Sequence, residues 1–271
     1  MIVVTGATGN VGRALVRALA GERVTAVSRR AAEVPAGVRH VRADLADPAS
    51  LEPALDGAGA LFLLTSGEFL GTGGDLGAVV ALARTAGVRR LVLLSSLGVA
   101  TGRHPDALEA SVEHSGLEWT VLRAGGFHTN TFAWADVVRA QRMVAAPFAD
   151  VALPAVDPAD IAEVAATVLR EDGHHGRTYV LTGPEPVSPR QQAAAIAEAL
   201  GEPVRFAELS RDEARERMLR FMPEPVVEST LDILGAPKPV EQRVSGDVER
   251  ILGRPARRFA EWAADNAAVF K

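Results

Sequence analysis

The residues with the clearest chemical potential lie near the start of the chain, where three glycines are spaced three residues apart. The segment Thr5–Gly12 contains them and directly follows the apolar run Ile2–Val4. A glycine-rich turn between a strand and a helix presents backbone N–H groups and the positive end of the helix dipole to an anion. The segment therefore predicts a dinucleotide pyrophosphate site formed by Gly6, Thr8, Gly9, Asn10, Val11 and Gly12. The alternative is a tight turn that binds no ligand.

Two arginines at the end of the second apolar run predict which dinucleotide is bound. The chain reads Ser28-Arg29-Arg30 at this point, and no carboxylate follows until Glu33. An acidic side chain here bonds the ribose 2′-hydroxyl of NAD, whereas an arginine pairs with a 2′-phosphate and stacks on adenine. Arg29 and Arg30 therefore favour NADP(H) over NAD(H), and the alternative is two solvated surface side chains.

Side chains at the ends of three further apolar runs complete the predicted site. Asp44 and Leu45 follow the third run, where the carboxylate is expected to accept from an adenine amino group, unless it is a loop acid. Leu64, Thr65 and Ser66 end the fourth run and are expected to pass under the nicotinamide ribose. Ser96 ends the fifth run, from which a hydroxyl can reach a substrate carbonyl. For each hydroxyl, the alternative is a bond to a nearby turn.

These residues need strands that end at one edge of a sheet, and the apolar pattern predicts such strands. The strand candidates are Ile2–Thr5, Val24–Val27, Val38–Arg42, Leu61–Leu64, Leu91–Ser95, Trp119–Leu122 and Thr178–Leu181. The helix candidates are Val11–Ala20, Ala49–Leu55, Ala78–Ala86, Ala107–His114 and Ile161–Leu169. Strands rich in valine and leucine, without polar alternation, are typical of a parallel sheet covered on both faces. Because strand candidates alternate with helix candidates along the chain, the sequence predicts a doubly wound α/β sheet of the Rossmann type.

The pattern changes after about Arg123. Residues 124–150 are predicted to be irregular or helical, and helices are predicted at Pro189–Leu200, Arg211–Phe221, Val226–Gly235 and Arg258–Phe270. Two of these helices begin with capping boxes, at Ser188 and Ser210. We therefore expect a Rossmann domain over residues 1–182, with 124–150 contributing to the cleft, and a small, mostly helical substrate lobe over residues 183–271.

Composition excludes several classes of protein. The chain has 271 residues, 48% of them hydrophobic, a formal net charge of −5 and no cysteine. Intrinsic disorder, disulfides and thiol chemistry are excluded, and the acidic balance argues against nucleic-acid binding. No apolar run approaches the roughly 20 residues of a membrane-spanning helix. We expect a cytoplasmic protein with no metal site, and the sequence leaves a monomer or a homodimer open.

Taken together, these motifs resemble the NmrA-like group of atypical short-chain dehydrogenase/reductases. The resemblance spans nearly the whole chain and rests on Thr5–Gly12, Ala43–Leu45, Leu93–Gly98, Ser115–Arg123, Val156–Ala162 and Thr178–Gly183. It implies a cofactor cleft between a Rossmann domain and a small lobe, with Arg29 at the adenosine phosphate and with Phe127 and Asn130 lining the substrate cleft. The group includes NADPH-dependent quinone reductases, other reductases and NADP-binding redox sensors.

One departure from short-chain dehydrogenases bears on the chemistry. Most of them use a Tyr-x-x-x-Lys pair as the proton donor, but here Tyr179 is the sole tyrosine and the two lysines are Lys238 and Lys271. The pair cannot exist in this chain, so ordinary interconversion of alcohols and ketones lacks its usual acid. His104, His114 and His128 are the histidines nearest the expected cleft. His128 is the best placed of them, unless it is a structural loop histidine.

An acceptor that yields a delocalised anion avoids this difficulty. The sequence therefore predicts a reductase that transfers hydride from NADPH to a quinone or a similarly activated carbonyl or alkene, with Ser96, His128 and Asn130 orienting a small aromatic or quinone-like substrate. The aromatic residues from Phe127 to Phe148 are expected to line an apolar slot, unless they fill the core. The alternatives are a non-catalytic redox sensor that docks a partner protein and a tailoring enzyme without net redox change.

Overall fold

The computed structural model describes residues 1–65, 69 and 74–271. Two compact units divide the chain. The first comprises Met1–Ala124, Pro158–Leu181 and Arg250–Gly253, and the second comprises Gly125–Asp157, Thr182–Glu249 and Arg254–Lys271.

The first unit is built on a seven-stranded, fully parallel sheet. Its strands are β1 (Ile2–Val4), β2 (Val24–Ser28), β3 (Arg39–Arg42), β4 (Ala60–Leu63), β5 (Arg90–Ser96), β6 (Glu118–Ala124) and β8 (Arg177–Leu181). Their order across the sheet is β3-β2-β1-β4-β5-β6-β8, and Val3 pairs with Thr25 on one side and Leu61 on the other. This confirms the predicted doubly wound Rossmann sheet. Strand order reverses between β1 and β4, which is where such sheets bind ligands.

Helices cover both faces of this sheet. They are α1 (Asn10–Ala18), α2 (Glu52–Leu55), α3 (Leu76–Thr85), α4 (Leu97–Ala100), α5 (Ala107–Glu113) and α7 (Pro158–Arg170). A continuous cluster of buried apolar side chains joins the sheet to α2, α3 and α5, while α1 and α7 pack against each other. Every residue of β1, β2 and β4 is buried, because a sheet covered on both faces leaves its central strands no contact with water.

The second unit contains a small parallel sheet that the sequence does not predict. Strand β7 (Met143–Pro147) pairs with β9 (Arg205–Leu209), with Met143 opposite Arg205. The prediction of irregular or helical structure over 124–150 is therefore wrong at β7. The two strands are five residues long and lie about 60 residues apart in the chain, so no local periodicity reveals their pairing.

The helices of the second unit largely follow the sequence pattern. They are α6 (Ala135–Gln141), α8 (Pro189–Leu200), α9 (Arg211–Met218), α10 (Glu224–Gly235) and α12 (Phe259–Asp265), while α11 (Asp247–Leu252) has residues in both units. Both predicted capping boxes, Ser188 with Gln191 and Ser210 with Glu213, are present. Among the described residues, no helix combines the length and apolar character needed to cross a membrane.

Two predicted helices are interrupted for local reasons. The segment Ala49–Leu55 is a 3₁₀ turn (Pro48–Leu51) followed by α2, because Pro53 has no N–H to continue the helical ladder. Near the C-terminus, α12 ends at Asp265 and a 3₁₀ turn follows at Ala267–Val269. There the side-chain amide of Asn266 donates to the Trp262 carbonyl at 2.8 Å and competes with the helical backbone bonds.

Candidate cofactor site and active site

Close backbone contacts hold the glycine turn between β1 and α1 against the helix. Gly6 adopts a left-handed conformation with φ +62°, and the Gly9 N–H donates to the Gly6 carbonyl at 2.9 Å. A Cβ atom on Gly12 would lie 2.1 Å from the Gly6 carbonyl oxygen, so only glycine allows this approach. Thr8, Gly9 and Asn10 are exposed, whereas Val11 and Gly12 are buried. The turn thus presents a helix N-terminus of the kind that accepts a pyrophosphate.

Thr5 ties this turn to the end of β4, a role that the sequence does not predict. Its hydroxyl accepts from the Leu64 N–H at 2.8 Å and lies 3.1 Å from the Phe62 carbonyl oxygen, to which it can donate. The Leu64 side chain lies against Gly6, where an added Cβ atom would be 2.8 Å from Leu64 Cδ2. The carboxyl ends of β1 and β4, which flank the point where strand order reverses, are therefore joined. Thr65 follows in a half-buried position, and Ser66 lies outside the described residues.

A pocket beside the glycine turn concentrates arginines. It has a volume of about 410 Å³, and its lining includes Thr8, Arg13, Arg17, Arg30 and Glu33. Of the two predicted arginines, Arg30 lines the pocket. Arg29 is exposed, and its carbonyl accepts from Arg42 Nε at 3.0 Å.

Arg13 and Arg17 were missed by sequence reasoning, although their positions carried a usable signal. They are four residues apart on α1, so they share one helix face. The backbone N–H of Arg13 donates to the Gly9 carbonyl, which places Arg13 one turn after Gly9. Three arginines and one carboxylate, Glu33, line this pocket, and the positive balance suits a phosphate better than a ribose hydroxyl. The residues present therefore fit a dinucleotide that carries a 2′-phosphate.

Asp44 and Leu45 make local contacts after β3. The Asp44 N–H donates to Ser50 Oγ at 3.0 Å, and its Oδ1 accepts from the Ala46 N–H at 3.0 Å, which forms an Asx turn. Leu45 is half-buried and packs against the main core. These contacts support the loop-acid interpretation of Asp44, and a contact with adenine stays a prediction.

The two serines at the end of β5 have different partners, because successive residues of a strand face opposite sides. Ser95 Oγ donates to Glu109 Oε1 at 2.5 Å. Ser96 Oγ accepts from the Gly98 N–H at 3.0 Å and lies 2.9 Å from His104 Nδ1. Ser96 is therefore the half-buried hydroxyl at the carboxyl edge that is not committed to a carboxylate.

Glu109 is the centre of a buried ionic network. Its side chain is 3% exposed and receives Arg123 Nε at 3.0 Å and Arg123 Nη2 at 2.5 Å. This hydrogen bonding raises the pKa of Arg123 above its usual value, against the opposing effect of burial. The network joins α5 to β6 behind the strand end that carries Ser96.

His128 lies inside the second unit. The side chain is 1% exposed, and its ring is edge-on to Phe259 at 5.2 Å and tilted against Trp262 at 5.8 Å. The backbone N–H of His128 donates to the Val156 carbonyl. This packing supports the structural interpretation of His128 over a role as proton donor. Asn130, two residues on, is exposed.

The aromatic residues expected to line one slot are divided between two clusters of the second unit. Phe132 packs with Trp262 and Phe270, and Trp134 belongs to the same cluster. Phe148 belongs to another cluster, with Leu209 and Met218. Apart from Phe127, these rings contribute to the core of the second unit, which supports the alternative interpretation made from the sequence.

Tyr179 is placed away from the carboxyl edge of the sheet. Its hydroxyl lies 2.8 Å from His174 Nδ1, and His174 belongs to the loop that leads into the amino end of β8. Burial, assisted by Arg90 and opposed by Glu171, lowers the pKa of His174 below its ordinary value. The sole tyrosine is thus occupied in a structural contact.

The lowered pKa of His174 predicts a pH dependence of stability. Unfolded histidine titrates near pH 6.5, and the folded pKa is lower, so the unfolded state binds more protons as pH falls through this window. Stability is therefore full above about pH 6.5 and declines below it. His174→Asn keeps a hydrogen-bonding group toward Tyr179 and is expected to reduce the fall in Tm between neutral and mildly acidic pH. His175→Asn, at the exposed neighbouring position, is the matched control, and an equal effect of both changes would contradict the assignment.

Comparison with known proteins identifies the class to which this geometry belongs. A parallel sheet with a glycine turn at the reversal of strand order defines a Rossmann protein that binds a dinucleotide. The profile of the NAD(P)H-binding family matches residues 6–172, and the chain belongs to this family.

Two relatives match the chain over its full length. It is 38% identical to (4-alkanoyl-5-oxo-2,5-dihydrofuran-3-yl)methyl phosphate reductase of Streptomyces griseus, over 100% of this chain and 99% of that protein. It is 32% identical to the NAD(P)H azoreductase of Xenophilus azovorans, over the same shares of the two chains. The chain is therefore an NAD(P)H-dependent oxidoreductase, as predicted.

Solved structures agree with this assignment. The NADPH-dependent quinone oxidoreductase of Escherichia coli, crystallised with NADPH, superimposes with a TM-score of 0.81 and 27% identity over 98% of this chain and 99% of that one. The negative transcriptional regulator NmrA, in complex with NADP, shares 19% identity and a TM-score of 0.75 over 99% of this chain and 95% of that one, a likeness of fold. The predicted resemblance to NADPH-dependent quinone reductases is confirmed, and the likeness to NmrA is one of fold.

Proposed function

We propose that this oxidoreductase uses NADPH to reduce a quinone or a similarly activated carbonyl or alkene. The observation that carries the proposal is the identity of the hydroxyl at the carboxyl edge of β5. It belongs to Ser96, whereas the sole tyrosine hydroxyl is bonded to His174 near the amino end of β8. A serine hydroxyl is a hydrogen-bond donor but a poor acid, which limits the acceptors that can be reduced.

The type of anion formed explains this limit. Hydride addition to a simple ketone leaves a localised alkoxide that needs a proton from a well-matched acid. Addition to a quinone or a carbonyl-conjugated alkene leaves a delocalised anion, for which one positioned donor to the carbonyl oxygen is a sufficient stabiliser. The relative in Streptomyces griseus is named for a dihydrofuran that carries oxo and alkanoyl groups, and such electron-withdrawing groups activate an alkene in the same way.

Each part of the chain has a defined role in this proposal. When bound, NADPH supplies the hydride. The glycine turn holds the pyrophosphate, Arg13 and Arg30 hold the 2′-phosphate, and Leu64 and Thr65 line the nicotinamide side. Ser96 donates to the carbonyl oxygen of the acceptor. Asn130 orients the substrate, and His128 supports the segment that carries Asn130. Residues 1–182 bind the cofactor, while residues 183–271, assisted by 124–150, select a small-molecule substrate.

The test is oxidation of NADPH by the purified protein, followed by absorbance with three acceptor classes: quinones, alkanoyl-dihydrofuranones and simple ketones. We expect oxidation with a quinone or an activated alkene and none with simple ketones. Reduction of simple ketones at a comparable kcat/KM would contradict the proposal. Tight NADPH binding without turnover of any acceptor would instead favour a redox sensor.

The arginine pocket predicts a selective loss of NADPH affinity. A hydrogen bond to a charged group contributes about 1.5–3 kcal/mol, so Arg30→Ala is expected to weaken NADPH binding by at least about tenfold. Arg13→Ala should act in the same direction, and neither change should move the affinity for NADH, which lacks the 2′-phosphate. Fluorescence titration of both nucleotides measures this.

The matched control for these arginines is Arg84→Ala, which removes an exposed arginine from α3 of the same unit. It should leave both affinities unchanged. Equal losses for NADPH and NADH in Arg30→Ala would show that the pocket supports the fold rather than the 2′-phosphate.

A further inference from the structure

Ser96 and His104 form a pair that the loop after α4 is folded to assemble. His104 Nδ1 lies 2.9 Å from Ser96 Oγ, although the two residues are eight positions apart in the chain. The loop turns back because the N–H groups of Arg103 and His104 both donate to the Gly98 carbonyl, at 2.9 and 3.1 Å. Both members of the pair are half-buried at the carboxyl edge of the sheet.

Gly98 makes this contact possible. A Cβ atom there would lie 2.5 Å from His104 Nδ1 and 2.8 Å from His104 Cγ. The imidazole therefore packs directly on backbone that carries no side chain. The same residue provides the N–H that Ser96 Oγ accepts at 3.0 Å. One glycine thus fixes both partners of the pair.

The hydrogen-bonding capacity of the serine then determines what the histidine does. A hydroxyl has one donor and two acceptor sites. The Gly98 N–H fills the first acceptor site. If His104 Nδ1–H fills the second, the Ser96 hydrogen has no role within the pair and is left for an acceptor outside it. In the opposite tautomer, Ser96 donates its hydrogen to Nδ1 and has none for a substrate.

We infer that His104 is a positioning residue whose Nδ1–H donates to Ser96 and thereby commits the Ser96 hydroxyl to the carbonyl oxygen of the acceptor. This inference rests on the proposed function, in which Ser96 stabilises the anion left by hydride addition. His104 acts through Ser96 and does not itself touch the substrate. It compensates for the absent Tyr-x-x-x-Lys pair by orienting a weaker donor.

The first test needs no turnover. Histidine ¹⁵N spectra of the full chain report which ring nitrogen carries hydrogen, and comparison with His104→Asn identifies the His104 signals. At alkaline pH, where histidine is neutral, we expect hydrogen on Nδ1. Hydrogen on Nε2 only would overturn the inference, whatever the protein is found to reduce.

The second test is a set of variants assayed with a quinone. Ser96→Ala should lower kcat by about 100-fold or more, as loss of an oxyanion donor does. His104→Ala should lower kcat by about tenfold with KM unchanged, because one hydrogen bond made in the transition state is weakened. The double variant should be no slower than Ser96→Ala. If His104→Ala lowers kcat by the same factor whether position 96 is serine or alanine, His104 does not act through Ser96.

Two further variants separate positioning from a merely structural role. His104→Asn retains an N–H donor at the place of Nδ1 and should recover activity to within a few-fold of the natural chain. Gly98→Ala keeps both functional groups but displaces the ring, so it should match His104→Ala while NADPH affinity stays unchanged. If Gly98→Ala is fully active, the contact between Ser96 and His104 has no part in catalysis.

Discussion

Replacing Gly12 by alanine is expected to raise the Kd for NADPH by about 100-fold, equivalent to about 2.7 kcal/mol. The new Cβ atom would lie 2.1 Å from the Gly6 carbonyl oxygen and 2.7 Å from Ala7 Cα. Both are backbone atoms, which cannot rotate away, so α1 must shift from the turn. The N–H groups at the start of the helix would then no longer converge on one phosphate. Fluorescence titration with NADPH measures the loss.

The loss of NADPH affinity should be smaller for Gly9→Ala than for Gly12→Ala. A Cβ atom on Gly9 would meet the Gly6 carbonyl oxygen at 3.3 Å, so Gly9→Ala requires a smaller adjustment than Gly12→Ala. Overpacking typically lowers the free energy of unfolding by about 1–3 kcal/mol, so circular dichroism must first show that Gly12→Ala is folded. Gly246→Ala is the control, because no atom lies within 4 Å of its added Cβ. A folded Gly12→Ala protein with unchanged affinity would exclude the turn as the phosphate site.

The second large effect is expected from the buried ion pair between Glu109 and Arg123. Removing one partner of such a pair costs about 3–5 kcal/mol of unfolding free energy, because the other charge stays buried. Glu109 is 3% exposed and Arg123 is 25% exposed, so the carboxylate has less access to water when left alone. Arg123→Met should therefore destabilise the protein more than Glu109→Gln. Denaturant unfolding of the cofactor-free protein measures both.

A double variant distinguishes this cost from simple loss of packing. Replacing both partners by methionine removes the stranded charge, so Glu109→Met/Arg123→Met should recover most of the stability lost in Arg123→Met. The matched surface change is Asp136→Asn, which breaks the exposed pair with Arg139 and should cost less than about 1 kcal/mol. If the double variant is less stable than Arg123→Met, the charge is not the source of the penalty.

Local patterns predict the elements that depend on neighbours in sequence. The glycine turn, the apolar strands and the capping boxes at Ser188 and Ser210 are set by residues a few positions apart, and the structure contains all of them. The class of dinucleotide is suggested in the same way by Ser28-Arg29-Arg30. Pairs that join distant segments leave no such pattern. The short strands β7 and β9 are examples, because their pairing spans about 60 residues.

The same distinction between local patterns and long-range contacts applies to the candidate site. By itself, the sequence determined the cofactor turn, the carboxyl edge that holds Ser96 and the absence of a Tyr-x-x-x-Lys pair, since these follow from local order and from counting residues. Only the tertiary structure decided that Ser95 donates to Glu109 while Ser96 pairs with His104. It also decided that Arg13 and Arg17 line one pocket with Arg30. His128, finally, is buried among aromatic rings only because of the tertiary fold. The physical reason is that a hydrogen bond or a packed ring depends on the path of the backbone between its partners. Gly98, for example, lets the loop bring His104 back to Ser96, and no hydrophobic periodicity or capping motif in the sequence indicates this.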